Sequence, residues 1–347
     1  MRKIAYLSMD VHARNCVLGD MDGNGKFRGN RCFITSENNI TDALKAVKAK
    51  KKYLVMEAGP LANWVAQTAS DYVTRVFISD PRENALIYKS SVKYDKIDTK
   101  KMCRLLRLNE FKEVYRPESD QRAIFKAAVQ HYLDLGHQLT ALKNKIKAMY
   151  RQWGVIDIFT KSVYSTSGRD KFLKQLNHHP IYLQLKRLYD LMDHTAAIKD
   201  DAEKSMIALG RNYPEIKEFK KITGIGPVGA HTYDAFIQTP HRFARRNRMW
   251  KYCRLGVTDR SSDGKQLGYK RLDKSGIGEL KALSHRAFMV AMKSDNEVKR
   301  FYLQSLQRTH NHKHARLNTQ RKILCVMLSI WKKGQAYRPE LFLDPSI

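Results

Sequence analysis

The sequence is short of acid. Its 347 residues carry 34 Asp and Glu against 64 Lys and Arg, a formal net charge of +30. Solubility does not require so large an excess, which predicts a polyanionic partner. Long apolar runs are missing as well: nothing approaches the roughly 18 consecutive apolar residues of a membrane span, so the charge is for nucleic acid rather than lipid. No leader precedes the first apolar segment, and the expectation is a cytoplasmic protein. Cys16, Cys32, Cys103, Cys253 and Cys325 are scattered without a Cys-x-x-Cys spacing, which excludes a zinc knuckle and a disulfide framework and fits a reducing compartment. No ATP-binding motif is visible, so phosphoryl chemistry on this chain has to proceed without nucleotide hydrolysis.

What acid there is sits in telling places. The apolar run Lys3 to Met9 ends in Asp10, and a second, Tyr53 to Met56, ends in Glu57. Asp95 and Asp98 stand three apart at the start of an amphipathic segment with Met102, Leu105, Leu106 and Leu108 on its apolar face, so both acids share one helix face. Acids in a first turn also simply complement a helix dipole; the two strand-end carboxylates are what favour a joint site. Four carboxylates in one cleft cannot all ionise at neutral pH without cations. Hard oxygen donors suit Mg²⁺ or Mn²⁺, and a pair of such ions clamps the attacking and leaving oxygens of a phosphodiester exchange.

The pattern of elements around these acids is α/β. Strands are expected at residues 3–10, 16–19 and 31–34, with a hairpin turn at Met21 to Gly25. A helix follows over Asn39 to Lys52 with Ile40, Leu44 and Val47 inward, then the strand ending in Glu57, a helix over Leu61 to Tyr72, and a strand over Arg75 to Ile78. A three-strand meander followed by alternating helices and strands is the order of an RNase H-like sheet, in which strands one and four are neighbours and Asp10 meets Glu57.

The expected division is an α/β domain over 1–117, a helical coiled-coil region over 118–212, and a mainly helical domain over 213–347. In the middle region, Ile124, Ala128, Tyr132, Leu139, Leu142, Ile146 and Met149 form one stripe, and Leu185, Leu188, Met192, Ile198 and Leu209 a second. An intramolecular bundle and a dimerisation arm both bury such stripes. Thr160 to Arg169 reads as the loop or flexible tip between them.

After Pro214, Ile222 to Ala230 has the apolar-x-Gly-apolar-Gly form of a helix-hairpin-helix turn. Its Gly224 and Gly226 would let backbone N–H groups approach a phosphate; a plain structural turn is the alternative. His241 to Arg254 interleaves Arg242, Arg245, Arg246 and Arg248 with Trp250 and Tyr252. Arginine binds phosphate or stacks on bases, and the two aromatics serve either the core or a base. Asp259 to Arg271 is a loop with Ser261, Ser262, Lys265, Lys270 and Arg271, and Lys274 lies just beyond. No histidine or carboxylate spacing there announces a hydrolase triad. Helices are expected over Glu279 to Ala291 and Asn318 to Trp331, with His310 to His314 as a polar basic loop rather than a tetrahedral metal site.

With both halves in view, the chain resembles the DEDD transposases of the insertion-sequence family numbered one hundred and ten, including its eleven-eleven subgroup, which are bridge-RNA-guided DNA recombinases. The resemblance runs over nearly the whole length. It matches the family's acids to Asp10, Glu57, Asp95 and Asp98, with Thr99 where the family has Ala after the last acid, Ser8 where it has Gly, and His12-Ala13 in place of Ser-Lys. In the C-terminal region it rests on Gly224-Ile225-Gly226, Leu255-Gly256 and Lys274-Ser275-Gly276, and counting back from the last places the family's serine on Ser262, with Ser261 one residue away. The resemblance implies a RuvC-like N-terminal domain, metal held by the four acids, a phosphoserine link through Ser262, a structured guide RNA, donor and target DNA, and a homodimer that assembles into a tetramer. A RuvC-type junction endonuclease needs only the four acids and water, and a nucleic-acid-binding protein with a decayed site needs neither acids nor serine.

Overall fold

A computed structural model describes residues 2–81, 95–117, 120–159, 161–258, 261–262, 265–266 and 270–344. The chain divides into two compact units, Met1–Arg116 and Pro117–Ile347.

The first unit is built on a mixed five-stranded sheet. β1 (Arg2–Val11), β2 (Asn15–Asp22) and β3 (Phe27–Ile34) form an antiparallel meander. β4 (Ala49–Glu57) pairs with β1 in parallel and β5 (Arg75–Ser79) with β4, giving the order β3-β2-β1-β4-β5. The β2–β3 turn is closed by Asp22, whose carboxylate accepts from the backbone N–H groups of Asn24 and Lys26. Successive strand residues face opposite sides. Ala5, Leu7 and Met9 therefore pack with Leu54 and Met56 under α1 (Glu37–Ala46) and α2 (Ala62–Ala69), while Tyr6, Tyr53 and Val55 meet Met102, Leu105 and Leu106 of α3 (Asp95–Leu108) on the other face.

The helix expected to run to Lys52 stops at Ala46, and Ala49 to Lys52 are instead the first residues of β4. In sequence the lysine run continues the helix's polar face. In the fold, Ala49 pairs with Arg2 and Lys51 with Ile4, so tertiary pairing with β1 overrides the local preference of the lysines.

The second unit opens with two long antiparallel helices, α4 (Asp120–Gln152), about 50 Å long at 1.5 Å per residue, and α6 (Tyr182–Gly210). Lys199 Nζ donates to Tyr132 Oη at 3.1 Å, and Tyr189 Oη to Tyr150 Oη at 3.3 Å nearer the tip. α4 buries Phe125, Val129, Tyr132, Leu135, Ile146 and Tyr150; Tyr132 and Ile146 are inward as expected, while at the start of the helix Phe125 and Val129 take the place of the expected Ile124 and Ala128, and Ile124 is 56% exposed. Ile124 and Phe125 are adjacent apolar residues; the inward one is the aromatic ring, which packs on Tyr213. Ile198, expected inward on α6, is likewise exposed.

Of the loop or flexible tip expected at Thr160 to Arg169, residues 161–169 are part of a folded cap on the hairpin, and Thr160 lies outside the described residues. A 3₁₀ turn (Lys161–Tyr164) leads into α5 (Thr166–Lys174), whose N-cap Ser165 accepts from Gly168 N–H. Val155, Ile158, Val163, Phe172, Leu173 and Leu176 bury against Ile146, Tyr150, Leu185 and Tyr189. The irregular spacing of these apolar residues hid the small core behind a polar stretch.

The helices of the rest of the unit are α7 (Glu215–Phe219), α8 (Pro227–Ile237), α9 (Arg246–Tyr252), α10 (Gly278–Ala291), α11 (Glu297–Thr309) and α12 (His312–Lys333). One core joins Phe125, Val129 and Met206 of the hairpin base to Phe219, Tyr233, Phe288, Ile323 and Met327, so the region expected at 118–212 and that at 213–347 share their interior. α11 is an element beyond those expected; its start is marked by Asn296, which accepts from Val298 and Lys299 N–H. The last helix starts at His312, six residues before the expected Asn318. Asn311 caps it, accepting from Lys313 and His314 N–H, which makes the His310 to His314 stretch a helix boundary. Among the described residues no helix is long and apolar enough to cross a membrane.

Candidate active site and nucleic-acid interface

Parallel pairing of β1 with β4 puts Met9 opposite Met56, and Asp10 and Glu57 are the next residues on the two strands. Both follow the alternation onto the face covered by α3, since Ser8 and Val55 precede them on that face. The same ladder carries on to β5, where Glu57 stands opposite Ser79. Asp10 is partly exposed, and His12 Nε2 lies 3.3 Å from its carboxylate.

α3 is fixed over this strand end by a buried polar contact. Ser8 Oγ donates to the Thr99 carbonyl at 2.7 Å, and Cys103 Sγ, one turn further along, donates to Ser8 Oγ at 3.3 Å. Burial pushes the Cys103 thiol up to about 12, which keeps it a donor. Thr99 Oγ1 also donates to Asn30 on β3 at 2.7 Å. Gly19, paired with Ser8 across β1–β2, leaves the space: a Cβ there would lie 2.9 Å from Thr99 Cβ. Ser8 and Thr99 are thus joined through the Ser8 hydroxyl and the Thr99 backbone carbonyl. At its far end Arg107 donates to the Gly23 carbonyl in the β2–β3 turn, so α3 runs antiparallel to β1 and begins at the end of the sheet where Asp10 and Glu57 stand.

Asp98 precedes Thr99 directly, with its side chain 17% exposed. Among the described residues its buried Oδ1 has no hydrogen-bond partner, and Lys101 Nζ is 3.9 Å away. Only the backbone of Asp95 is described, in the first turn of α3. Among the described residues no three His, Cys, Asp or Glu side chains stand close enough to hold an ion. The structure therefore brings Asp10 and Glu57 side by side and sets α3 above them. The donors are of the hard-oxygen type that Mg²⁺ and Mn²⁺ take, and the buried Asp98 Oδ1 has among the described residues the Lys101 ammonium at 3.9 Å and no hydrogen bond.

In the second unit the glycine turn joins α7 to α8. Gly224 has φ +88°, and a Cβ on it would come within 2.3 Å of the Ala287 carbonyl in α10. Gly226 is the N-cap of α8, with φ −81°, Pro227 following, and nothing within 4 Å of its Cβ position. The turn lines a cavity of about 250 Å³ with Leu283 and Arg286. The two glycines thus have different reasons: Gly224 is required by helix packing, and Gly226 leaves open space in front of the α8 N–H groups. We expect Gly224→Ala to cost more than about 2 kcal/mol, since left-handed backbone alone costs about 1–2 and the clash adds to it, whereas Gly226→Ala stays within about 1 kcal/mol of wild type. Urea melts of the two variants check this.

The arginine segment divides in the same way. Arg242, expected on phosphate, is turned inward: its guanidinium donates to the carbonyls of Phe236 and Ile237 at the end of α8 and sits 4.4 Å from the Tyr252 ring. It closes a helix C-terminus, where a cation is favourable. Arg245 and Arg248 are exposed at the start of α9, and Arg246 is exposed beside Trp250. Trp250 is partly buried, its indole N–H donating to Cys325 Sγ at 3.2 Å.

Between α9 and α10 the chain makes a two-tiered antiparallel excursion. Its stem is β6 (Val257–Thr258) with β9 (Arg271–Leu272), and beyond it β7 (Ser261–Ser262) pairs with β8 (Lys265–Gln266), Ser262 opposite Lys265. The side chains of Ser261, Ser262 and Lys265 lie outside the described residues. The root is held firmly. Asp273 N–H donates to the Gly256 carbonyl, Ile277 N–H to that of Tyr252, and Arg254 Nε to that of Gly276. Asp273 accepts from Ser275 Oγ at 2.6 Å and from Ser275 N–H, which holds its carboxyl below the usual range. Lys270, Arg271 and Lys274 are exposed around this root.

Residues 216–303, from α7 into α11, match the profile of the Transposase IS116/IS110/IS902 family. This stretch is similar to a transposase-family domain. It contains the glycine turn, the arginine segment and the serine hairpin, and it supports a transposase role with DNA as partner. The match falls in the insertion-sequence family that the residues resemble. The acids of the first unit lie outside the matched stretch. No curated protein matches the chain.

The sequence reading missed three cations C-terminal to the matched stretch. Arg308, Arg321 and Lys322 line a cavity with Arg246. The signal was present in Arg321-Lys322, adjacent basic residues inside the apolar pattern of a helix, where Lys322 is only 6% exposed.

Proposed function

We propose that the chain is a DNA transposase-recombinase whose first unit is an RNase H-like, RuvC-like metal domain and whose transposase-family domain supplies a serine nucleophile. The observation that carries the reading is that Asp10 and Glu57 directly follow the paired Met9 and Met56 at the ends of neighbouring parallel strands, with a helix opened by Asp95 and Asp98 over the sheet, together with the family match over 216–303. Asp10, Glu57, Asp95 and Asp98 would hold Mg²⁺ or Mn²⁺, and when bound such ions supply Lewis-acid stabilisation of charge on the phosphoryl oxygens.

The residues of the chain do the rest. Ser262 Oγ forms a bond to the scissile phosphorus as the bond to the departing DNA oxygen breaks; that oxygen takes up a proton and leaves as a hydroxyl end. The phosphoserine keeps the phosphodiester's energy, and a second DNA hydroxyl attacks it to restore the serine and join the exchanged strands. Ser261 is the neighbouring candidate. Arg245, Arg246, Arg248, Lys265, Lys270, Arg271 and Lys274 would position the DNA backbone, with Gly226 admitting a phosphate at the α8 N-terminus in the manner of a helix-hairpin-helix. A structured guide RNA would choose the sequences by base pairing, and a homodimer assembling to a tetramer would hold donor and target DNA.

Binding to duplex DNA tests the interface half of this reading. Arg245→Ala with Arg248→Ala should lower affinity alike for unrelated sequences and reduce the slope of log affinity against log salt by about 0.9 for each phosphate that is no longer neutralised. A titration across salt concentrations reads both; an unchanged slope removes α9 from the interface.

A further inference from the structure

The cavity on the second unit, about 410 Å³, lies between α9, α11, α12 and the C-terminal segment. Three guanidiniums and an ammonium line it, from Arg246, Arg308, Arg321 and Lys322, along with Trp250 and Phe301. Arg321 donates twice to the Leu255 carbonyl and stands 4.7 Å from the Trp250 ring, and Lys322 Nζ is 5.6 Å from the Phe301 ring. The one acid lining the cavity among the described residues is Asp344, whose backbone carbonyl accepts from Lys322 Nζ at 2.5 Å. Gln304 and Asn318 add amide groups at the wall.

Among the described residues the cations lining the cavity outnumber the acids, and an anion placed beside Arg246, Arg308 and Arg321 relieves the repulsion between them. The aromatic wall adds a second requirement, because Trp and Phe favour a flat apolar group. Phosphate satisfies the cations and a nucleobase satisfies the rings; a nucleotide has both, and the volume falls in the roughly 300–1,000 Å³ range of small-molecule sites. A duplex offers its phosphates but keeps its bases stacked, so the occupant has a base out of the stack.

We propose that this cavity receives one unpaired nucleotide of the bound nucleic acid, its phosphate among Arg246, Arg308, Arg321 and Lys322 and its base against Trp250 and Phe301. This rests on the reading of the chain as a nucleic-acid enzyme, and it places a recognition point on the side of the domain formed by α11 and α12. The cavity would reward a bulge, a loop or a junction nucleotide over continuous duplex.

The test uses the full chain and three labelled DNA duplexes: fully paired, with one extra thymidine, and with one extra abasic residue. The wild type is expected to bind the thymidine bulge about 10-fold more tightly than the abasic bulge, in line with the roughly 1–3 kcal/mol of base–aromatic stacking. Phe301→Leu, which keeps an apolar side chain, should bring that ratio close to one. Arg308→Ala, at an exposed position, should remove the preference for either bulge over paired duplex while affinity for paired duplex changes less than about 2-fold. A set built in RNA tells which strand supplies the nucleotide, and preference in either set supports the cavity. Equal wild-type binding to all three probes, or a preference that survives both variants with unchanged thermal melts, overturns the cavity alone. No binding of the wild type to any probe overturns the nucleic-acid reading, and the cavity with it.

Discussion

Asp10→Asn should leave a folded chain that binds DNA and no longer cuts it. The amide is the same size as the carboxylate, and β1 is held through its backbone by β2 on one side and β4 on the other, so stability should stay within about 0.5 kcal/mol. What disappears is one negative charge where Glu57 and the start of α3 converge. Removing a single preorganised electrostatic contact at a reacting centre costs about 10²–10³ in rate, and a carboxylate that anchors a cation should cost at least that much. Glu57→Gln should behave alike. Single-turnover cleavage of labelled donor DNA with Mg²⁺ present, beside a binding titration, separates the two effects. Cleavage that persists in both variants would remove the acids from the chemistry.

Arg122→Ala should be the most destabilising single change in the second unit. Arg122, in the first turns of α4, bonds Asp234 of α8 and donates to Glu215 of α7 at 2.7 Å, and its guanidinium stands 3.8 Å from the Tyr213 ring. One side chain thus ties the long hairpin to two helices of the transposase-family domain. Asp234 is fully buried, and removing one member of a buried pair costs about 3–5 kcal/mol because the other charge is left without compensation. Burial pushes the Asp234 carboxyl well up while Arg122 pulls it down. In the variant only the upward push remains. A carboxyl raised in the folded state favours the fold at low pH and disfavours it as pH rises through that value, so the deficit against wild type should be smaller at acid pH than at neutral pH. Urea melts at the two pH values, followed by a probe in the second unit, measure both. A loss under about 1 kcal/mol would mean that hydrophobic contacts alone hold the hairpin base.

Much of the first unit was legible because period-two burial and strand-end acids are local signals. β1, β4 and their carboxylates follow from apolar runs ending in Asp10 and Glu57, and the strand order places the two ends together. The boundary of α1 was not legible, since the lysines from Lys48 to Lys52 continue the helix's polar face in sequence, and only pairing with β1 decides. The long helices were legible in existence and, at Tyr132, Ile146, Leu185 and Met192, in phase; at the start of the first, where Ile124 and Phe125 adjoin, packing against Tyr213 chooses the ring. Arginine roles were least legible. Arg242 and Arg245 lie three residues apart in one basic run, yet the first closes the end of α8 and the second is exposed. Charge in sequence does not reveal which guanidinium has carbonyls within reach.

The central claim is that a serine of the β7–β8 hairpin becomes covalently joined to DNA in a reaction that needs the acids of the first unit. A denaturing gel of labelled donor DNA incubated with Mg²⁺ and co-expressed flanking RNA, comparing wild type with Ser262→Ala and Asp10→Asn, tests it most directly. The account predicts a protein–DNA band in wild type that is absent from both variants. Cleaved DNA free of protein, produced equally by wild type and Ser262→Ala with no covalent band in either, would contradict it and leave a metal-dependent nuclease in its place.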